Sequence, residues 1–550
     1  MRWMDFLKFV RWHGLEFESV HPSFDVEYSV DATPRGHFTI FLLPGTMFSC
    51  YVLSKQDLLA IVHLVCCVFG IGSLAMPYIL AQAGPTYSAV AFILSCFFNT
   101  YATVALSRCF LKLRHLPHIH TYTDLAVHMW GPKGRLVVQA TQLTTCFLLP
   151  VAFLVLGGAT LLPAIFDGAI NLPSTVWIIL MAVALLPIIY IRVLHEAYIV
   201  LISGAAATFI ADVIATVDAY VAHGNELFEP TDNVSFTNVL DTFGSFALSY
   251  GAALIVPQLH HHHPQPERLP TALAYGMLLI SAFYVTLGAL GYAQFGCASP
   301  NNLLLAMSHS THRRRVAYAS MFLHVAIAFA VLLNPFLVTV EKSLFPQNAT
   351  LDKCDDDVET EGDGDMVAAA DFNELETPMK AAVVKTAAPL DAPKNDATVA
   401  SLVALNDTVD AREPQPPAKF SDTTRRILFR TVVVAIQCFL AMLLQRSFFD
   451  MADLMGASLT NMCSVILPLL LYYKLFKADM STAHKIVCWT VIVVSIMLGS
   501  YSTIQAIIRI VKNASEYTLF SSVTSSKRTS YPFCPVGYTD RKAPFLDSFE

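Results

Sequence analysis

The sequence predicts an all-α integral membrane protein with about eleven transmembrane helices, in which two five-helix repeats are inverted and helices one and six are broken. Composition is the first observation: 55% of the 550 residues are apolar and 14% are charged, against about 45–50% and about 25% in soluble globular chains. The second is that the apolar residues form separate runs long enough to cross a bilayer. The third is that two of these runs, five spans apart, carry glycine, serine and proline at mid-depth.

Length and hydropathy delimit the spans. Their predicted ranges are 56–83, 86–111, 136–165, 174–192, 195–217, 239–260, 271–295, 316–341, 426–445, 451–474 and 484–511. The predicted regions are a cytosolic N-terminal region at 1–55, spans one to eight within 56–344, a loop at 345–424, spans nine to eleven within 425–511, and a tail at 512–550. The loop is rich in Asp, Glu, Ala, Pro and Thr, so we expect it to be disordered and cytosolic.

Basic residues in the loops predict a cytosolic N-terminus and an extracytosolic C-terminal tail, although the run Arg313–Arg315 opposes this orientation. The loop between spans five and six is then external, and the sequence Asn233-Val234-Ser235 predicts N-glycosylation of Asn233. Cys297 and Cys534 are the cysteines that this scheme places in external loops, and we expect a disulfide between them.

The two interrupted runs predict a binding site within the membrane. Span one contains Gly70-Ile71-Gly72-Ser73-Leu74-Ala75-Met76-Pro77-Tyr78, and span six contains small residues from Phe243 to Ala252, followed by Pro257. Glycine and proline unwind a helix, and unwound backbone at membrane depth persists only where it is buried in protein or lines a cavity. Close helix packing through small residues is the alternative, but two interruptions in matching positions favour a site.

Charge and histidine content exclude other classes of protein. The net charge is −7 with no sustained basic tract, so we expect no nucleic-acid partner. Histidines cluster at His260–His263 and in the loop after span two, a pattern that would suit a membrane di-metal oxidase. The histidine spacing fits such an enzyme poorly and no third histidine cluster lies on the same side, so we expect neither an enzyme nor a metal site.

These motifs resemble the amino acid/auxin permease family. The resemblance rests on the core from Gly70 to Tyr78 in span one, Phe243-Gly244-Ser245-Phe246 with Ser249-Tyr250-Gly251 in span six, Gly291–Gly296 after span seven and Leu333-Asn334-Pro335 in span eight. It covers about residues 55 to 511 and implies a LeuT-like fold and amino-acid transport. A receptor that binds an amino acid without transporting it would use the same broken helices and stays open as an alternative.

The resemblance also bears on the coupling ion. The segment Val62-His63-Leu64-Val65 is similar to the span-one histidine segment of the proton-coupled branch, which implies a proton-coupling role for His63. The sodium-coupled branch carries asparagine where this chain has Cys66, and a sodium site needs several oxygen ligands. We expect H⁺ as the coupling ion and no cofactor, with Na⁺ as the alternative. Asp212, an acid within span five, is a second candidate for coupling.

The site is predicted where the two broken spans meet. A carboxylate should bind to free N–H groups and the helix dipole around Gly70–Ser73, and an ammonium group to carbonyls and hydroxyls around Ser249–Gly251. The substrate expected is a small neutral amino acid, and the host membrane is the plasma membrane or a lysosome-like or vacuolar membrane. The predicted substrate-binding residues are Gly70, Ile71, Gly72, Ser73, Ser249, Tyr250, Gly251, Gln142, Thr145 and Asn334.

Overall fold

The computed structural model describes residues 40–43, 46–48, 53–166, 170, 172–190, 198–223, 230–232, 234–307, 312–344, 420–515 and 533–535. The chain divides into two units, at residues 1–52 and 53–550. In the first unit the described residues form a β-hairpin, in which Ile40–Leu43 pairs antiparallel with Thr46–Phe48. The predicted glycosylation site Asn233 and almost all of the predicted loop at 345–424 lie outside the described residues.

Within the described residues the second unit is built of helices. Eight of these helices are long and apolar enough to cross a membrane. They are Met76–Leu113, Pro132–Phe166, Ile202–Val221, Pro266–Ala298, His312–Leu344, Thr424–Leu444, Phe448–Phe476 and Thr482–Lys512. A shorter apolar helix, Ser174–Tyr190, occupies the range predicted for span four. The helix of span nine begins at Phe420, inside the predicted loop.

The predicted spans one and six are each interrupted by a break in the helix. Span one consists of Lys55–Val68, then Ile71–Leu74 and the beginning of Met76–Leu113. Span six consists of Phe236–Ser249 and Val256–His262. The second unit is therefore an all-α membrane bundle, and the interruptions predicted from glycine, serine and proline are confirmed as breaks in the two helices.

The boundary between spans one and two lies at a glycine inside a continuous helical segment. Gly84 has a φ of 72° within Met76–Leu113, a left-handed conformation that favours glycine. Pro85 follows it, and its fixed φ suits the first turn of a helix. The chain therefore reverses direction at Gly84 with no loop. The start of span one is fixed differently, by a capping box between Ser54 and Asp57.

Three π-helical segments locally widen the membrane helices. One of them, Leu156–Leu161, continues span three. The other two, Gly456–Thr460 and Met462–Ile466, lie next to each other in span ten. Such segments are rare and occur often at functional sites.

A disulfide joins the loop after span seven to the C-terminal tail. Cys297 and Cys534 are bonded, with their Cα atoms 5.0 Å apart, as the sequence predicted. Phe533 packs against the ring of Tyr78 in the part of span one after the break, and its carbonyl accepts a hydrogen bond of 3.3 Å from the backbone N–H of Asp232. The loop after span seven, the loop before span six and the tail therefore lie at one end of the bundle.

The disulfide should hold the two halves of the chain together after the chain is cut. With a protease site inserted between residues 345 and 419, cleavage leaves Cys297 and Cys534 on different fragments. We expect one band near 60.5 kDa on a denaturing gel without reductant and two bands with it. Cys534→Ser should give two bands in both lanes, and a single unreduced band from that variant would contradict the pairing.

Candidate functional site

A cavity of about 300 Å³ lies where the two broken spans meet spans three, eight and ten. Its wall contains the residues before and after both breaks, together with residues of the π-helical part of span ten. Its principal lining residues are His63, Cys66, Gly70, Gly72, Gln139, Gln142, Thr145, Cys146, Gly204, Leu248, Ser249, Gly251, Gln258, His324, Ala328, Val331, Leu332, Thr460, Cys463 and Ser464.

The break in span one exposes the start of a new helical segment. The first helix ends at Phe69, whose backbone is extended and whose N–H bonds the carbonyl of Val65 at 2.7 Å. The helix restarts at Ile71, and the carbonyl of Gly70 accepts both the backbone N–H and the hydroxyl of Ser73, at 3.1 and 2.8 Å. The N–H groups in the first turn of a helix have no acceptor within that helix. They are suited to bind an anion.

The break in span six faces the break in span one at very short range. A Cβ atom on Gly72 would lie 2.3 Å from the hydroxyl oxygen of Ser249, so that only glycine permits this approach. After the break, the N–H of Ala252 bonds the carbonyl of Tyr250 at 2.7 Å and the N–H of Gly251 bonds the carbonyl of Leu248 at 3.4 Å. Residues of both breaks, Gly70 and Gly72 of one and Ser249 and Gly251 of the other, therefore lie on a common wall.

A tyrosine of span seven holds both breaks in place. The hydroxyl of Tyr284 lies 3.0 Å from the carbonyl of Val68 and 2.9 Å from that of Ser249, and the two carbonyls share its single hydrogen. Its ring packs edge-to-face on Tyr250, whose hydroxyl bonds Ser281 at 2.8 Å. Because Tyr284 is 1% exposed, these carbonyls are satisfied without water.

The structure places the predicted substrate-binding residues in two groups. Those on the cavity wall are Gly70, Gly72, Gln142, Thr145, Ser249 and Gly251. Ser73 and Tyr250 are buried behind the wall and make the hydrogen bonds described above. Asn334 does not line the cavity, although its neighbour Pro335 does. The side chain of Ile71 lies outside the described residues.

The two predicted proton-coupling residues lie on opposite sides of the break. His63 is on the cavity wall. Asp212 is fully buried beside Ser73. From the sequence, Asp212 could also have been a hydrated residue near the outer end of span five. In the structure Asp212 is completely buried, so it is not hydrated.

His324 of span eight is a site residue that sequence reasoning missed. It is 5% exposed, and its Nδ1 lies 3.2 Å from the carbonyl of Gly204 in span five. Its Nε2 faces the break in span one, since a Cβ atom on Gly70 would lie 2.9 Å from it. The sequence does show that His324 is an ionisable residue within a membrane span, and this is the criterion by which Asp212 was selected.

An ion-pair network closes the end of the bundle that lies away from the cavity. Arg509 of span eleven bonds Asp450 and Asp453 of span ten at 2.6 and 3.1 Å and contacts Asp241 of span six at 3.3 Å. Ser245 donates a hydrogen bond of 2.5 Å to Asp453. None of these residues lines the cavity, which runs from the breaks towards Gln258 and His63, in the halves of spans one and six that are predicted to be cytosolic.

A helical membrane bundle with two facing broken spans around a central cavity is typical of secondary transporters. The chain belongs to the family of transmembrane amino acid transporter proteins, whose family model matches residues 58–508. Amino-acid transport is therefore its function.

Individual relatives are distant in sequence. The chain is 19% identical over 463 residues to amino acid transporter AVT1E of Arabidopsis thaliana, covering 83% of this chain and 73% of that one. It is 22% identical over 288 residues to vacuolar amino acid transporter 7 of Saccharomyces cerevisiae, covering 50% and 57%. Among solved structures it is similar to MhsT in complex with L-phenylalanine, with 13% identity, a TM-score of 0.44, and 82% and 98% coverage.

Replacing Gly72 with valine should abolish uptake and leave the protein folded. The added side chain meets Ser249 and pushes the two breaks apart, and a displacement of about 1 Å at a site can cost about 100-fold in rate. Uptake of labelled amino acid into proteoliposomes measures the loss. Ala282→Val adds bulk on an exposed face of span seven and serves as the control, which should transport normally. Uptake by Gly72→Val at the control rate would contradict the site.

Replacing Arg509 with glutamine should loosen the closed end of the bundle. Hydrogen bonds to charged groups stabilise by about 1.5–3 kcal/mol, so local opening should become at least about tenfold more frequent. Hydrogen–deuterium exchange should rise in Phe236–Ser249 and Phe448–Met455. Lys512→Gln removes one charge from the same end of span eleven as a control. Equal exchange in the two variants would refute the closing role of the network.

Proposed function

We propose that the protein is a secondary active transporter that moves small neutral amino acids by alternating access, coupled to protons. The observation that carries this proposal is the cavity at the paired breaks, whose wall includes Gly70 and Gly72 of span one and Ser249 and Gly251 of span six. An amino acid carries one carboxylate and one ammonium group, which the N–H groups and carbonyls of helix breaks can bind separately. Transport follows if the cavity is open alternately at each end.

The residue types that line the cavity favour a neutral substrate. Among the described residues that line it, none is Asp, Glu, Lys or Arg. A charged substrate side chain would therefore be buried without a partner, which is costly. The polar groups available to a substrate side chain are neutral amides and hydroxyls, amid apolar side chains such as Leu143, Val331 and Leu332. They include those of Gln139, Gln142, Thr145, Gln258, Thr460 and Ser464. A volume of about 300 Å³ lies at the lower end of the range for small-molecule sites and suits a small ligand.

Coupling to protons is supported by the ionisable groups near the break and by the apolar character of the wall. His63 lies on the wall and Asp212 is buried beside Ser73, and buried ionisable groups in membrane spans commonly relay protons. Val331 and Leu332 of span eight present hydrocarbon where a sodium ion would require oxygen ligands. The structure is then a conformation open to the cytosol, if the N-terminus is cytosolic as the loop charges predict.

The names of the relatives suggest a host membrane. Vacuolar amino acid transporter 7 of Saccharomyces cerevisiae is vacuolar by its name. We extend this to a vacuolar or lysosome-like membrane as the first location to examine, with the plasma membrane as the second. Microscopy of the tagged full chain with markers for both membranes tests this assignment.

Uptake of labelled neutral amino acids into proteoliposomes tests the function. With an inward proton gradient and no sodium, we expect concentrative uptake that a protonophore abolishes. Uptake that begins only when sodium is added would refute proton coupling. Binding without uptake under either ion would refute transport and identify an amino-acid receptor.

His63→Ala should lose acid-stimulated accumulation in the same assay. Because an imidazole can take up and release a proton and that of His63 lies on the cavity wall, its removal should reduce the accumulation ratio, whereas exchange without a gradient continues. His128→Ala, an exposed histidine on the helix Tyr122–Trp130, is the matched control. Unchanged acid stimulation in His63→Ala would show that another ionisable group binds the coupling proton, and Asp212→Asn and His324→Asn are the next variants to measure.

A further inference from the structure

We propose that His324 binds the coupling proton, on its Nε2 atom, at the point where span eight meets the break in span one. This inference rests on the proposed proton-coupled transport and deepens it by naming the group that links the proton to the substrate. Neither the sequence motifs nor the family membership selects this residue. It follows from three contacts of one buried imidazole.

The carbonyl of Gly204 fixes the tautomer of His324. A carbonyl oxygen only accepts hydrogen bonds, so Nδ1, which lies 3.2 Å from it, carries a hydrogen in the neutral ring. The same carbonyl accepts a hydrogen bond of 3.2 Å from the hydroxyl of Thr208, which helps to orient it. Nε2 is then the nitrogen with a free electron pair, and a proton taken up by this ring binds there.

Nε2 lies where a proton and a substrate carboxylate can influence each other. It faces Gly70, beside the helix-terminal N–H groups that are proposed to bind the carboxylate, and His324 is part of the cavity wall. Protonation places a positive charge next to that carboxylate, in a setting where few other groups screen it. Proton binding and substrate binding therefore strengthen each other by the same factor. The proton comes from water in the cavity and returns to water on the other side.

Several other titratable groups lie on the helices packed around His324. His63, Cys66 and Cys67 belong to the half of span one before the break, and His63 is seven residues from Gly70, or about 10 Å along a helix. Asp212 of span five is eight residues beyond Gly204, or about 12 Å. Cys146 of span three is also on the cavity wall. Further ionisable groups of the packed helices include Lys55, Asp57, Lys133, Arg135, Tyr190, Asp218, Tyr220, His312–Arg315, Tyr318, Glu341 and Lys342, towards the helix ends, and Tyr275, Tyr284 and Tyr292 of span seven.

The variant His324→Asn separates the hydrogen bond from the proton. Its side-chain amide can donate to the carbonyl of Gly204 as Nδ1 does, but it does not titrate. Wild-type protein that moves one proton with each substrate should accumulate labelled amino acid about tenfold for a gradient of one pH unit. We expect His324→Asn to exchange amino acid across the membrane without a gradient but to accumulate it at a ratio of about one. His128→Asn should behave as wild type.

A measurement on the wild-type chain keeps the proposal testable if His324→Asn does not fold. Diethyl pyrocarbonate modifies neutral imidazole, and mass spectrometry locates the adduct. At His324 we expect modification that falls as the pH is lowered from 8 to 5 and that a transported amino acid suppresses at least about tenfold. Modification that is independent of both pH and substrate would overturn the proposal.

The outcomes distinguish this inference from the function on which it rests. Wild-type protein without proton-driven accumulation would refute the proposed coupling and, with it, the role of His324. Wild-type protein that couples, alongside His324→Asn that accumulates amino acid equally well, would overturn the role of His324 alone and leave proton-coupled transport standing. Loss of accumulation in His324→Asn with exchange retained would support both.

Discussion

Backbone that leaves a helix in mid-membrane must find hydrogen-bond partners within the protein, and the central architecture depends on this constraint. The hydroxyl of Tyr284 is the hydrogen-bond partner of the carbonyl of Val68 in span one and of the carbonyl of Ser249 in span six. The hydroxyl of Ser73 is the partner of the carbonyl of Gly70. The groups that these side chains leave available are the ones that a substrate can bind, so the structural solution to the breaks also specifies the chemistry of the cavity.

The two ends of the bundle are held by different interactions. At the end with the disulfide, Arg509 joins spans six, ten and eleven through three aspartates. At the other end, the beginning of span one is tied to span seven through the buried Asp57, which accepts a hydrogen bond of 2.6 Å from Arg268. The half of span one before the break thus contacts span seven at both of its ends, through Arg268 and Tyr284, and closure of the cavity must preserve or replace those two contacts.

The breaks could be predicted from the sequence because helix-breaking residues act locally. Glycine, serine and proline within an apolar run determine where a helix unwinds, and Gly70, Gly72, Ser249 and Gly251 do lie on the wall. Which side chains near a break face the cavity depends instead on the rotation of each helix after the break. That rotation places Tyr250 behind the wall, and no spacing in the sequence encodes it. The position of His324 depends on contacts with spans one and five, more than 100 residues away along the chain.

Span eight shows why an imidazole suits this position. His324, Ala328, Val331, Leu332 and Pro335 all line the cavity and follow the helical period, so that they form one continuous face. Apart from the histidine this part of the face is hydrocarbon, which offers no ligand to a metal ion arriving from water. A histidine needs no such ligand set, since it becomes a cation by binding a proton on a ring that the protein already holds. The apolar face and the buried imidazole are therefore two parts of one arrangement, in which the positive charge beside the break is generated by protonation of the protein itself.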